Sequence, residues 1–139
     1  MPDQGEARSS LRQAALAEQG MRAAAGLEVL TGLGLVAMPS LLARLLFGAA
    51  LDATGEATGR IAGIVMLCLA LGCWPRAGAA DRAPALLPLI VLSWLVAAFL
   101  AMTGLAGAPA GLLLWPAAAL HLALAGLLTW AWASAPAPS

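Results

Sequence analysis

Four apolar stretches, at 23–47, 57–74, 85–105 and 111–133, occupy most of a chain of 139 residues. Most of them approach the roughly 20 residues that a helix needs to cross about 30 Å of hydrocarbon. Hydrocarbon offers no water to hydrogen-bond the backbone, so only helices and closed barrels are admissible there. These runs are uninterrupted and lack the apolar–polar alternation of barrel strands, which selects helices. Composition agrees: 62% of residues are hydrophobic and 10% charged, against about 25% charged in a soluble domain. Connections of about 4 to 12 residues make successive spans antiparallel neighbours. The expected fold is all-α, a polytopic membrane protein built as an antiparallel four-helix transmembrane bundle. Residues 1–22 would precede it as a cytoplasmic segment, and 134–139 would follow as a short tail.

The first 22 residues mix acids and arginines and have no small-residue cleavage site behind a short apolar core, unlike a removable signal peptide. Ser10 and Gln13 fit a capping box, which would start a short interfacial helix ahead of the first span. The chain has no lysine, so orientation rests on arginine. Arg8, Arg12, Arg22, Arg76 and Arg82 fall on one side, and Arg44 and Arg60 on the other. That bias predicts both termini in the cytoplasm of a bacterial inner membrane. Formal net charge is zero and the charges are dispersed, which argues against a nucleic-acid partner. Cys68 and Cys73 are five positions apart, about 140° around a helix, so they cannot bridge each other.

Departures from plain apolarity mark the candidate sites. In the first span Glu28 lies about one turn inside the cytoplasmic end of its run and shares a face with Thr31 and Gly32. A membrane carboxylate is costly, about 2.5–3.5 kcal/mol at mid-depth on insertion scales. Glu28 is therefore expected inside the bundle, either as a structural carboxylate or as a coupling group for a proton or substrate. Pro39 lacks an amide donor and should kink the helix or end it near Met38. Small four-span multidrug transporters also carry one glutamate in their first helix. Here the carboxylate is shallow in its run, there is no tyrosine, and the arginine bias fixes one orientation.

The second span contains Gly55, Gly59 and Gly63, two overlapping G-x-x-x-G units that bare one helix face for close approach of another backbone. Arg60 sits among them, four residues after Glu56, a spacing at which glutamate and arginine pair on a helix. Its alternatives are a snorkelling ion pair or a site for an anionic headgroup or a quinone-like carbonyl. The third span has no charged residue and receives no chemistry.

His121, the only histidine, lies ten residues into the fourth run from Gly111, about 15 Å along the axis and so at mid-membrane. Ala117, Ala118 and Ala125 share its face, and small residues mark a packing face. A neutral imidazole there needs an acceptor for its N–H and a donor or metal for the other nitrogen. Structural hydrogen bonding, ligation of haem or a quinone oxygen, and proton transfer all remain open. Trp74, Trp115, Trp130 and Trp132 look like interfacial anchors.

Taken together, "LLFG", "GRIAGIVMLCLALGCWP" and "GLLLWPAAALHLALAGLL" resemble small four-span bacterial membrane proteins of unassigned activity, distantly DoxX-like. The matching residues are Arg60, Ala62, Gly63, Leu71, Gly72, Cys73, Trp74, Trp115, Pro116 and His121. The resemblance implies a four-helix bundle and raises a quinone-linked redox role by fold analogy. No Ser/His/Asp set, paired carboxylates, metal-ligand cluster or phosphate loop is present, which disfavours a conventional enzyme. The leading expectation is action through helix–helix association, as an accessory or organising subunit or a homo-oligomer, with lipid and other membrane subunits as partners. The alternatives are a redox-linked protein using His121 and Arg60, and a proton-coupled carrier using Glu28.

Overall fold

A computed structural model of the chain describes residues 4–75, 83–107 and 109–134. Among the described residues five helices run in the order α1 (Gln4–Ala37), α2 (Pro39–Phe47), α3 (Ala53–Gly72), α4 (Ala83–Leu105) and α5 (Leu114–Ala133). Four segments of these residues are long and apolar enough to cross a membrane: Leu11–Ala37, Ala53–Gly72, Leu86–Leu105 and Leu114–Ala133. The protein is an all-α bundle of multi-pass membrane type. Arg76 and Arg82 lie outside the described residues.

The first apolar run is divided between two helices. Pro39 has no N–H to continue the α1 ladder, and its ring excludes the helical conformation at the residue before it. Met38 accordingly takes φ −143° and ψ 62°, and α2 starts afresh with Pro39 in its first turn. The new helix bends away from the α1 axis, so that a Cβ on Gly34 would touch the side chain of Leu42. This shifts the first span towards the N-terminus, from the expected 23–47 to Leu11–Ala37. α1 passes Ser10 without interruption, and residues 4–22 continue the same helix.

Packing follows two antiparallel pairs, α1 with α3 and α4 with α5, joined through contacts of α1 with α5 and α4. Within hydrocarbon the tails are as apolar as leucine, so close van der Waals approach, not exclusion of water, drives such pairing. Glycine supplies it. A Cβ on Gly63 would lie 2.6 Å from the Gly32 carbonyl oxygen, and one on Gly104 would lie 2.8 Å from the Trp115 ring.

α2 ties the two pairs together at the end of the bundle away from the termini. At its start Pro39 packs on Gly59 of α3. At its finish the carbonyls of Leu46 and Leu45 accept the amides of Gly111 (3.0 Å) and Leu113 (2.7 Å) from the α4–α5 connection. Carbonyls in the last turn of a helix have no partner of their own, so this pairing satisfies α2 and fastens it to the neighbouring hairpin. Gly48, at φ 70°, closes the helix with its amide on the Arg44 carbonyl.

Two apolar clusters result. Met21, Ala24, Cys73, Leu86, Leu89, Ile90, Leu124 and Leu128 fill the terminal end. Leu100, Leu114 and Ala118, with Phe47 against them, fill the α2 end, where the Phe47 and Phe99 rings meet edge to face at 6.2 Å.

Candidate functional site

On α5 the stripe Leu114, Ala118, His121, Leu124, Ala125 and Leu128 is buried, and its spacing is that of one helix face. His121 falls between the residues that join the upper cluster and those that join the lower one. On α1 the corresponding stripe is Met21, Ala24, Ala25 and Glu28, all buried. Met21 and Ala24 share one apolar cluster with Leu124 and Leu128, and α1 packs on α5 at Gly20 against Leu128, so Glu28 and His121 fall further along the same α1–α5 seam.

Their heights also agree. A Cβ on Gly20 would lie 3.2 Å from Leu127 and 3.3 Å from Leu128. Advancing from that level to Glu28 climbs about 12 Å of α1, and retreating to His121 climbs about 10 Å of α5. Division of the first run by Pro39 therefore places Glu28 deeper than its position in the run 23–47 indicated.

Glu28 is 2% exposed, and its Oε2 is buried without a hydrogen-bond partner. Neither of the ion pairs among the described residues involves it. Cys73, buried at the end of α3, is near enough to interact electrostatically with its carboxylate. The His121 Nδ1 lies 2.9 Å from the Ala117 carbonyl oxygen. A carbonyl only accepts, so Nδ1 carries the proton, and in the neutral ring Nε2 is left with a lone pair.

A second polar group sits at the α2 end. Ser40 Oγ donates to Glu56 Oε1 at 2.7 Å, and Arg60 donates to Glu56 Oε2 at 3.2 Å. Asp52 caps α3 by accepting from the Gly55 amide at 2.7 Å. The three glycines of this helix thus have different duties. Gly55 adjoins its own cap, Gly59 faces Pro39, and Gly63 meets α1.

His121 and Arg60 are not brought together. Arg60 lies one turn beyond Gly63 towards the α2 end, on a helix that packs chiefly on α1, and its guanidinium is held by Glu56. A bis-histidyl haem needs two imidazoles, and one copy supplies only His121.

The third span, to which the sequence assigned nothing, lines a groove of about 360 Å³ against α5. Ala97, Ala98 and Ala101 face Ala118, Ala119 and Leu122 across it, with Trp94 and Trp115 also lining it. The small-xxx-small spacing of Ala97 and Ala101 was the available signal. Ala118 and Ala125 are fully buried and Ala117 is half-buried, so the small residues around His121 serve packing inside the bundle as well as this groove. Comparison with protein-family models, curated proteins and solved structures finds no match.

Proposed function

We propose that this membrane protein acts through helix–helix association, as an accessory or organising subunit of a membrane assembly or as a homo-oligomer. The alanine-lined groove between α4 and α5 is the observation that carries the reading. Small residues on both walls let a further helix approach backbone to backbone, the usual basis of association in hydrocarbon. The groove is almost wholly apolar, so packing rather than polar chemistry would govern what sits in it. The arginine distribution supports placing the termini in the cytoplasm of a bacterial inner membrane: Arg8, Arg12 and Arg22 are exposed on the terminal half of α1, opposite Arg44 and Arg60.

Purification in mild detergent, alongside Ala98→Leu and Ala119→Leu, tests the proposal. A defined oligomer or co-purifying membrane subunit that is lost in the variants is the expected result. A monomer in the bilayer, unchanged by filling the groove, would overturn it.

A further inference from the structure

Glu28 is the polar group that association does not explain. Its Oε2 is enclosed and receives no hydrogen bond, and buried acceptors are rarely left so. An ionised carboxylate in that position would be enclosed with no ion-pair partner among the described residues. Ionisable groups inside membrane bundles are costly and characteristically functional. The neutral carboxyl changes the requirement, because protonation turns one oxygen into a donor that needs an acceptor.

His121 supplies a side-chain acceptor at this level of the seam. His121 spends its Nδ1 proton on the Ala117 carbonyl, so Nε2 offers a lone pair at the height of Glu28. The other neighbours fit less well. Cys73, from the end of α3, is a weak donor and acceptor placed towards the terminal end. Ser93 of α4 is buried but lies about 6–7 Å below His121, since Gly104 of its helix is level with Leu114 and Trp115. Thr31 is on the same helix as Glu28, one turn nearer α2. The charged groups Glu18 and Arg22 pair with each other, Glu56 and Arg60 do likewise, and Asp52 caps α3. Arg44 is exposed on α2.

We propose that Glu28 and His121 form an intramembrane proton-binding pair, which holds one exchangeable proton between the Glu28 Oε2 and the His121 Nε2. Taking up the proton removes the uncompensated charge and supplies the missing hydrogen bond together. Releasing it leaves a carboxylate that stays stable only if water, a cation or a cationic ligand enters the seam. The pair is therefore a site at which proton release and entry of a positively charged species are linked.

The test is infrared difference spectroscopy of the full chain in lipid vesicles, following the carbonyl stretch of a protonated carboxyl as pH is changed. The expected result is a single one-proton transition whose band shifts in deuterium oxide and disappears in Glu28→Gln. In His121→Ala the same transition should move towards acid by about one pH unit or more, because the neutral carboxyl loses its acceptor. In His121→Gln, which retains an acceptor oxygen, it should move less. Labelling glutamate with carbon-13 in the unmodified chain identifies the band without any substitution, so poor folding of a variant does not block the test. The proposal is overturned by absence of a glutamic-acid band at every pH, by a band that does not titrate, or by a transition indifferent to both His121 variants.

Discussion

Gly32 of α1 and Gly63 of α3 meet backbone to backbone, and the contact is reciprocal. A Cβ on Gly32 would lie 2.9 Å from the Gly63 carbonyl oxygen, and one on Gly63 would lie 2.6 Å from that of Gly32. Both obstacles are backbone atoms, which cannot swing aside as the end of a side chain can. Gly63→Leu should therefore force α1 and α3 apart and cost about 1–3 kcal/mol, in the range of core overpacking. Thermal or denaturant unfolding in detergent measures it. Gly72→Leu is the control, since a Cβ there would meet nothing within 4 Å.

The attachment of α2 makes a separate prediction. A Cβ on Gly111 would press on the carbonyls of Leu45 and Arg44, beside the two amide bonds that hold α2 to the α4–α5 connection. Gly111→Val should release the helix, with faster hydrogen exchange at the Gly111 and Leu113 amides and unchanged protection deep in α5. Equal protection in both proteins would mean that α2 is held by other contacts.

Arg60 and Glu56 form an ion pair at the half-exposed end of α3, where solvent weakens the attraction. Arg60→Ala should cost no more than about 1 kcal/mol, and less in high salt. Glu56 keeps its bond from Ser40 in that variant, so the carboxylate is not orphaned. Unfolding at two salt concentrations checks the claim. A larger, salt-insensitive loss would point to a ligand or headgroup on Arg60.

A side-chain hydrogen bond links α4 to α5, from Trp94 Nε1 to Thr129 Oγ1 at 3.2 Å. Thr129→Val preserves shape and deletes the acceptor. The expected cost is about 0.6 kcal/mol, the average for such bonds between membrane helices, visible as a small drop in unfolding free energy and a change in tryptophan emission. A shift in emission without loss of stability would show that the indole finds another acceptor.

The sequence by itself determined the class of object. Four long apolar runs admit no other backbone solution in hydrocarbon than helices, and the membrane-length helical segments Ala53–Gly72, Leu86–Leu105 and Leu114–Ala133 lie close to the runs that announced them. The interruption at Pro39 was equally legible, because a missing amide and a clashing ring act locally. Burial of Glu28 and His121 also followed from composition, since a lone polar group in an apolar helix must turn inward. Tertiary structure decided what those residues face. Only the unbroken course of α1 to Ala37 revealed that its membrane-length segment begins at Leu11, and only the register of α1 against α5 put Glu28 level with His121. Register is a property of two surfaces fitted together, so neither helix carries it alone. The same holds for the α4–α5 groove, whose alanines are unremarkable until two helices align them. Composition sets where each helix is content to lie, whereas the fit of glycine and alanine faces sets which residues meet.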